Sequence, residues 1–117
     1  MLRFWRATIN TRNGLAFAIR SEQAVREEII ALALALPLAW LIGATLVRRF
    51  ELIAAVVLVL IIELLNTAIE KLADRLTTDP DTQIGRVKDM GSAAVGVALV
   101  LAGLFWLVAI AERMGAI

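Results

Sequence analysis

Three stretches of this chain carry almost no charge: Ile29–Val47, Leu52–Ile69 and Met90–Ala111. Each is close to the ~20 residues that a helix needs to cross the hydrocarbon core of a bilayer. Lipid offers the backbone no hydrogen bonds, so such runs must satisfy their own N–H and C=O groups as helices. The 117 residues are 61% hydrophobic with mean hydropathy +0.83, where a soluble domain averages about 45–50% apolar. The reading is an all-α membrane protein, one integral unit over 1–117, with three transmembrane helices at 29–47, 52–69 and 90–111.

The first two runs are separated only by Arg48-Arg49-Phe50-Glu51, which predicts an antiparallel hairpin, and Pro37 predicts a kink in the first. Residues 1–26 read as an amphipathic surface helix. Leu2, Trp5 and Ile9 share one face, and Arg3, Arg6 and Arg12 occupy others, with a break predicted at Asn13-Gly14. A cleaved leader fits poorly, because Glu22, Glu27 and Glu28 stand directly before the first apolar run. Arg3, Arg6, Arg12, Arg20, Arg26, Lys71, Arg75, Arg86 and Lys88 fall on one side of the membrane, and only Arg48, Arg49 and Arg113 on the other. The positive-inside rule therefore makes the N-terminus and the 70–89 loop cytoplasmic. Trp106 is expected in an aromatic belt, and Ser92 and Gly96 form a small-xxx-small pair suited to close helix packing.

Within this frame Glu63 is anomalous, since it lies inside an otherwise uncharged run. An acidic residue at a helix centre costs about 2.5–3.5 kcal/mol on insertion scales, and a carboxylate kept there is by default a functional one. Asn66, Glu70 and Asp74 follow at steps of three or four, placing all four on one helical stripe. Such a stripe can hold a hard divalent cation or a reacting hydroxyl, and Glu63 suits a general base. For Asp74, pairing with an arginine of a neighbouring helix is the simpler expectation. Glu22 and Arg26 are spaced for a surface ion pair, and Glu28 lies on a different face at the mouth of the first run. Asp79-Pro80-Asp81 is a turn signal, after which Arg86 and Lys88 can meet phosphates or simply fix topology.

The chain has no cysteine and no histidine, which excludes disulfides, thiolate chemistry, Ser-His triads and the usual zinc sites. It also lacks a Walker loop and a kinase glycine loop. Carboxylates beside Lys and Arg are what phosphoryl transfer minimally requires.

Two segments carry a resemblance. Glu63-Leu-Leu-Asn-Thr-Ala-Ile-Glu70-Lys-Leu-Ala-Asp74-Arg and Gly85-Arg-Val-Lys88-Asp89-Met-Gly-Ser-Ala-Ala-Val95 closely resemble the signatures of the prokaryotic diacylglycerol kinases, and the acidic segment from Glu22 to Glu28 is similar too. The likeness is to the Gram-negative type, not to the undecaprenol kinase branch. It implies a homotrimer of three transmembrane helices plus a surface helix in the inner membrane, with shared active sites at the cytoplasmic interface. The implied activity moves the γ-phosphate of magnesium-bound ATP to diacylglycerol, giving phosphatidic acid. The implied partners are ATP, diacylglycerol and further copies of the chain, with no nucleic acid.

Residue by residue, the resemblance makes Glu63 the catalytic base and Asn66 its polar partner. It makes Glu22 and Glu70 the holders of magnesium with ATP, and Lys88 and Asp89 nucleotide contacts, joined by Arg3 and Asn10. The 79–81 turn would lie at the ATP as well, although Asp79, Pro80 and Asp81 depart from the aromatic and histidine residues the family shows there. Arg3, Arg26, Glu28, Glu63 and Ser92 fall near the lipid. Two alternatives stay open: an undecaprenol kinase, and a non-enzymatic proton- or cation-coupled membrane protein. The apolar outer half of every run speaks against a translocation path.

Overall fold

The computed structural model describes residues 2–117, whose regular structure is four α-helices: α1 (Leu2–Ser21), α2 (Gln23–Ile42), α3 (Leu46–Leu76) and α4 (Thr82–Arg113). Helix α3 is the hub, packing against α4 on one side and α2 on another, while α1 meets α2 lightly and reaches α3 through Phe17 and Lys71.

Helix α1 runs through Asn13-Gly14 without the predicted break. A glycine in an exposed helix interior costs only about 1 kcal/mol relative to alanine, too little to interrupt a favourable frame. The helix ends at Ser21, not near residue 26, because Glu22 is extended (φ −127°, ψ 118°) and serves as the N-cap position of α2. The Arg26 guanidinium turns back across this corner and donates to the carbonyls of Ile19 (2.9 Å) and Arg20 (3.1 Å). It thereby satisfies carbonyls that a helix end leaves open, and the predicted Glu22–Arg26 ion pair does not form.

The first apolar run is not one helix either. Helix α2 stops at Ile42, and the chain turns at Gly43-Ala44-Thr45. A Cβ on Gly43 would lie 2.5 Å from Arg49 Cγ and 2.8 Å from the Ala39 carbonyl oxygen, so only glycine allows α3 to fold back this tightly. The Thr45 hydroxyl then caps α3 by accepting from the Arg48 N–H at 3.1 Å. Arg48 and Arg49 consequently sit inside α3 and not in the link. Two helices, α3 and α4, are long and apolar enough to cross a membrane. In α2 the uncharged part is Ile29–Ile42, with Pro37 inside it.

Helices α3 and α4 meet along a seam of small side chains. Ala55 and Val59 pack on Ala98 and Ala102, and Leu52 packs with Ala39 and Ala109. Small residues let two backbones approach closely where lipid removes the usual hydrophobic drive. The predicted Ser92/Gly96 pair is not this seam, as both residues are exposed and a Cβ on Gly96 would meet nothing within 4 Å. The most apolar windows of α3 and α4 are only 28% and 17% buried within the chain, the reverse of a soluble core helix.

Two ends of the bundle differ in character. At one, Arg48 pairs with Glu51 (2.9 Å) and with Glu112 (3.2 Å), joining the start of α3 to the end of α4. Nearby, Arg49 lies 4.2 Å over the Trp40 ring, and the Trp106 indole N–H donates to the Leu52 carbonyl at 3.2 Å. Trp106 thus ties two helices together instead of serving only as a belt residue. Gly115 (φ +76°) closes α4: its N–H and that of Ala116 bond back to Glu112 and Ala111. The other end gathers the carboxylates.

Candidate functional site

Leu52, Ala55, Val59, Glu63 and Asn66 advance by three or four residues and are all buried. The apolar seam of α3 therefore turns polar without leaving its line, and the predicted stripe is the continuation of the core. Glu63 is 9% exposed, and no hydrogen bond or ion pair reaches its carboxylate among the described residues. Glu28, Glu70 and Glu22 all lie close enough to act on it electrostatically.

Each of these arrives from a different part of the chain. Glu28 sits on the same face of α2 as the buried Val25 and Ala35. Burial first, and then Glu27 beside it, pushes the Glu28 carboxyl above its ordinary value of 4.5. Glu22 stands at the α1–α2 corner and accepts from Lys71 of α3 at 2.8 Å, while the same ammonium lies 5.0 Å over the Phe17 ring of α1. Glu70 follows Glu63 by two turns and accepts from the Asn66 amide Nδ2 at 3.2 Å. The three segments converge because the Glu22 corner and the near ends of α2 and α3 are brought to one level by the α2–α3 hairpin.

Helix α4 closes a third side. Its N-terminus is set by Asp81, whose Oδ1 accepts from the N–H groups of Gln83 (2.9 Å) and Ile84 (3.0 Å). The Asp79 N–H donates to Thr77 Oγ1 at 3.1 Å, and Asp79 and Pro80 are otherwise exposed. Lys88 reaches across to Asp74, so Asp74 is paired as expected but with a lysine of α4 instead of an arginine. Gly91 abuts Asn66, whose Oδ1 is buried without a hydrogen-bond partner.

The remaining predicted residues fall further out. Asp89 and Ser92 are exposed on α4, and Arg3 is exposed near the start of α1. Asn10 lines a largely apolar cavity of about 510 Å³ between α1 and α3, together with Gly14, Phe17, Leu64, Thr67 and Lys71. Arg26 is held by the end of α1, as described above. Two residues with a part in this geometry, Lys71 and Gly91, were not legible as such: each acts on a partner far away in sequence.

Among the described residues no three His, Cys, Asp or Glu side chains form a ready cation cage. Magnesium seldom uses one: it keeps several waters and binds through one or two carboxylates plus substrate phosphates. Hard carboxylate oxygens gathered with a single lysine bonded to them fit that habit, and they fit no thiophilic metal.

Residues 10–110 match the family described as prokaryotic diacylglycerol kinase. The chain is 39% identical over 102 residues to the diacylglycerol kinase of Escherichia coli strain K12, covering 87% of this chain and 84% of the other. It is 39% identical over 93 residues to that of Haemophilus influenzae, covering 80% and 79%. With that of Pseudomonas aeruginosa it shares 36% over 104 residues, covering 89% and 85%. The family match takes in every candidate site residue except Arg3.

Proposed function

Because the chain belongs to the prokaryotic diacylglycerol kinase family and is a lipid kinase, we propose that it phosphorylates diacylglycerol with ATP at the cytoplasmic face of the membrane, using Glu63 as the base. The observation that carries this reading is the placement of Glu63. Its side chain lies largely within the bundle where the apolar seam ends, near three further carboxylates, and its own carboxylate has no hydrogen-bond or ion-pair partner among the described residues. A structural carboxylate at such a depth would be expected to hold a compensating cation or donor.

In the proposed reaction the Glu63 carboxylate accepts the proton of the free hydroxyl of diacylglycerol. The hydroxyl oxygen forms a bond to the γ-phosphorus as the bond from that phosphorus to the β–γ bridging oxygen breaks, leaving phosphatidic acid and ADP. Asn66 holds the Glu70 carboxylate through its amide, while the helix itself sets Glu63 and Glu70 two turns apart. Glu22 and Glu70 would hold magnesium with the nucleotide, and the cation would supply charge neutralisation at the phosphates. Lys88, oriented by Asp74, adds positive charge from α4. Asp89, Asn10, Arg3 and the 79–81 turn edge the nucleotide, the turn through its backbone. Glu28, Arg26 and Ser92 face the lipid side. Further copies of the chain complete the site, as a homotrimer, from the apolar faces that α2 and α4 leave open.

The test is a lipid panel. Diacylglycerol and undecaprenol are presented in separate mixed micelles with labelled ATP, and the products are resolved by chromatography. Label is expected in phosphatidic acid. Label predominantly in undecaprenyl phosphate would move the chain to the other acceptor, and ATP-independent proton flux in liposomes without transfer would overturn the kinase reading.

A further inference from the structure

At Gly91, helix α4 faces Asn66 of α3 without a side chain of its own. Gly91 is buried, and a Cβ built on it would overlap Asn66 Oδ1 and come within 3.3 Å of Asn66 Cγ. Asn66 itself is 7% exposed, and its Oδ1 has no hydrogen-bond partner. That oxygen is therefore placed by contact with α4 and not by a bond. The other end of the same amide, Nδ2, bonds Glu70. A planar amide pressed at its oxygen has one way to yield, which is to turn about its side-chain torsions, and turning carries Nδ2 away from Glu70.

From this geometry we infer that Gly91 is a positioning residue for phosphoryl transfer. Its missing side chain fixes the Asn66 amide, and through it Glu70, in the orientation the site uses. The inference rests on the proposed roles of Asn66 and Glu70. Gly91 also lies one turn beyond Lys88, so the close approach sets the level at which Lys88 meets Asp74. No contact with substrate is required of Gly91.

The experiment is a cycle of four proteins in detergent micelles: the unaltered chain, Gly91→Ala, Asn66→Ala and the double variant. Turnover, the apparent KM for magnesium and the thermal unfolding midpoint are measured for each. A misplaced catalytic group costs up to about 10²-fold in rate, and Gly91→Ala is expected to lower kcat by at least about tenfold and to raise the magnesium KM. In the Asn66→Ala background there is no amide to displace. There, Gly91→Ala is expected to leave the remaining rate within about twofold and to raise the unfolding midpoint, because alanine is the better helix former. Equal losses in both backgrounds would overturn the inference, as would an unaltered rate for Gly91→Ala alone. Full activity of Asn66→Ala would overturn the reading of Asn66 and the positioning role with it. That outcome is distinguishable from absence of the contact, which predicts a lowered midpoint for Gly91→Ala alone and a raised one in the double variant whatever the rates.

Discussion

Replacing Glu63 separates its chemical role from its structural cost. Glu63 lies six residues inside the end of the uncharged stretch at Ile69, a depth of about 9 Å at 1.5 Å per residue. The half-thickness of the hydrocarbon core is about 15 Å, so the carboxylate is roughly three-fifths of the way to the centre. Scaling the insertion cost of about 2.5–3.5 kcal/mol by that fraction gives about 1.5–2 kcal/mol. Relief of repulsion from Glu28, Glu70 and Glu22 acts in the same direction. Glu63→Leu is therefore expected to stabilise the fold by about 1–2 kcal/mol, and Glu63→Gln, which keeps the shape, by a smaller amount. Both remove the proposed base, and the loss of a general base costs about 10²–10⁴-fold in kcat. Turnover is read by coupling ADP release to a spectrophotometric assay in mixed micelles. Stability is read from the unfolding midpoint by circular dichroism in the same detergent. A gain in stability with loss of turnover is the signature of a residue kept for function. Near-normal turnover in Glu63→Gln would refute the base assignment. Lost turnover with a lowered midpoint would refute the claim that Glu63 is unpartnered.

Three further outcomes follow from the geometry. Glu28 has a carboxyl raised above 4.5 in the folded state, so the folded protein binds its proton more tightly than the unfolded chain does. Its ionisation therefore destabilises the fold progressively as pH rises from about 4.5 through the raised value, and Glu28→Gln is expected to raise the unfolding midpoint at pH 8 and to leave it unchanged at pH 4. Lys71→Gln removes the cation bonded to Glu22 and is expected to lower the magnesium concentration giving half-maximal rate; an unchanged value would show that Lys71 and the metal do not compete. Asp81→Ala deletes the N-cap of α4 and is expected to cost about 1 kcal/mol of stability, while Asp81→Asn keeps both stability and the KM for ATP.

What could be read in the sequence was whatever depends on a helical period. Glu63, Asn66, Glu70 and Asp74 share a stripe because steps of three and four always do, and burial of the first two follows from Leu52, Ala55 and Val59 on the same line. What could not be read depends on contact between distant residues. The turn at Gly43 within the run 29–47 was not read, since what requires glycine there is the close approach of Arg49 and of the Ala39 carbonyl, both contacts of the folded chain. The Thr45 cap of α3 lies inside that run and had no part in the reading. Asn13-Gly14 erred the other way: a local turn signal lost to the helical frame on both sides. The importance of Gly91 over Gly96 needed the opposing helix, since only one of the two faces Asn66.

The distribution of ties along the bundle gives the site its mechanical setting. At the end away from Glu63, Arg48 spans Glu51 and Glu112, Trp106 grips a backbone carbonyl of α3, and Arg49 packs on Trp40 while bonding the Gly43 carbonyl at 3.2 Å. These are planar groups held by packing as well as by hydrogen bonds, and they leave α2, α3 and α4 little freedom to slide. At the carboxylate end the corresponding ties, Lys71 to Glu22 and Lys88 to Asp74, are single ammonium groups on four-carbon stems, each more than a third exposed. An ammonium is a compact charge that can exchange one anion for another at small cost, whereas a guanidinium fork or a half-buried indole bonded to a carbonyl does so less readily. Under the proposed roles, a nucleotide would bring both a cation competing for Glu22 and phosphates competing for Lys88. The ties such a proposal requires to be exchanged are thus the labile ones, and the helix that carries Glu63 and Asn66 is tied at its opposite end.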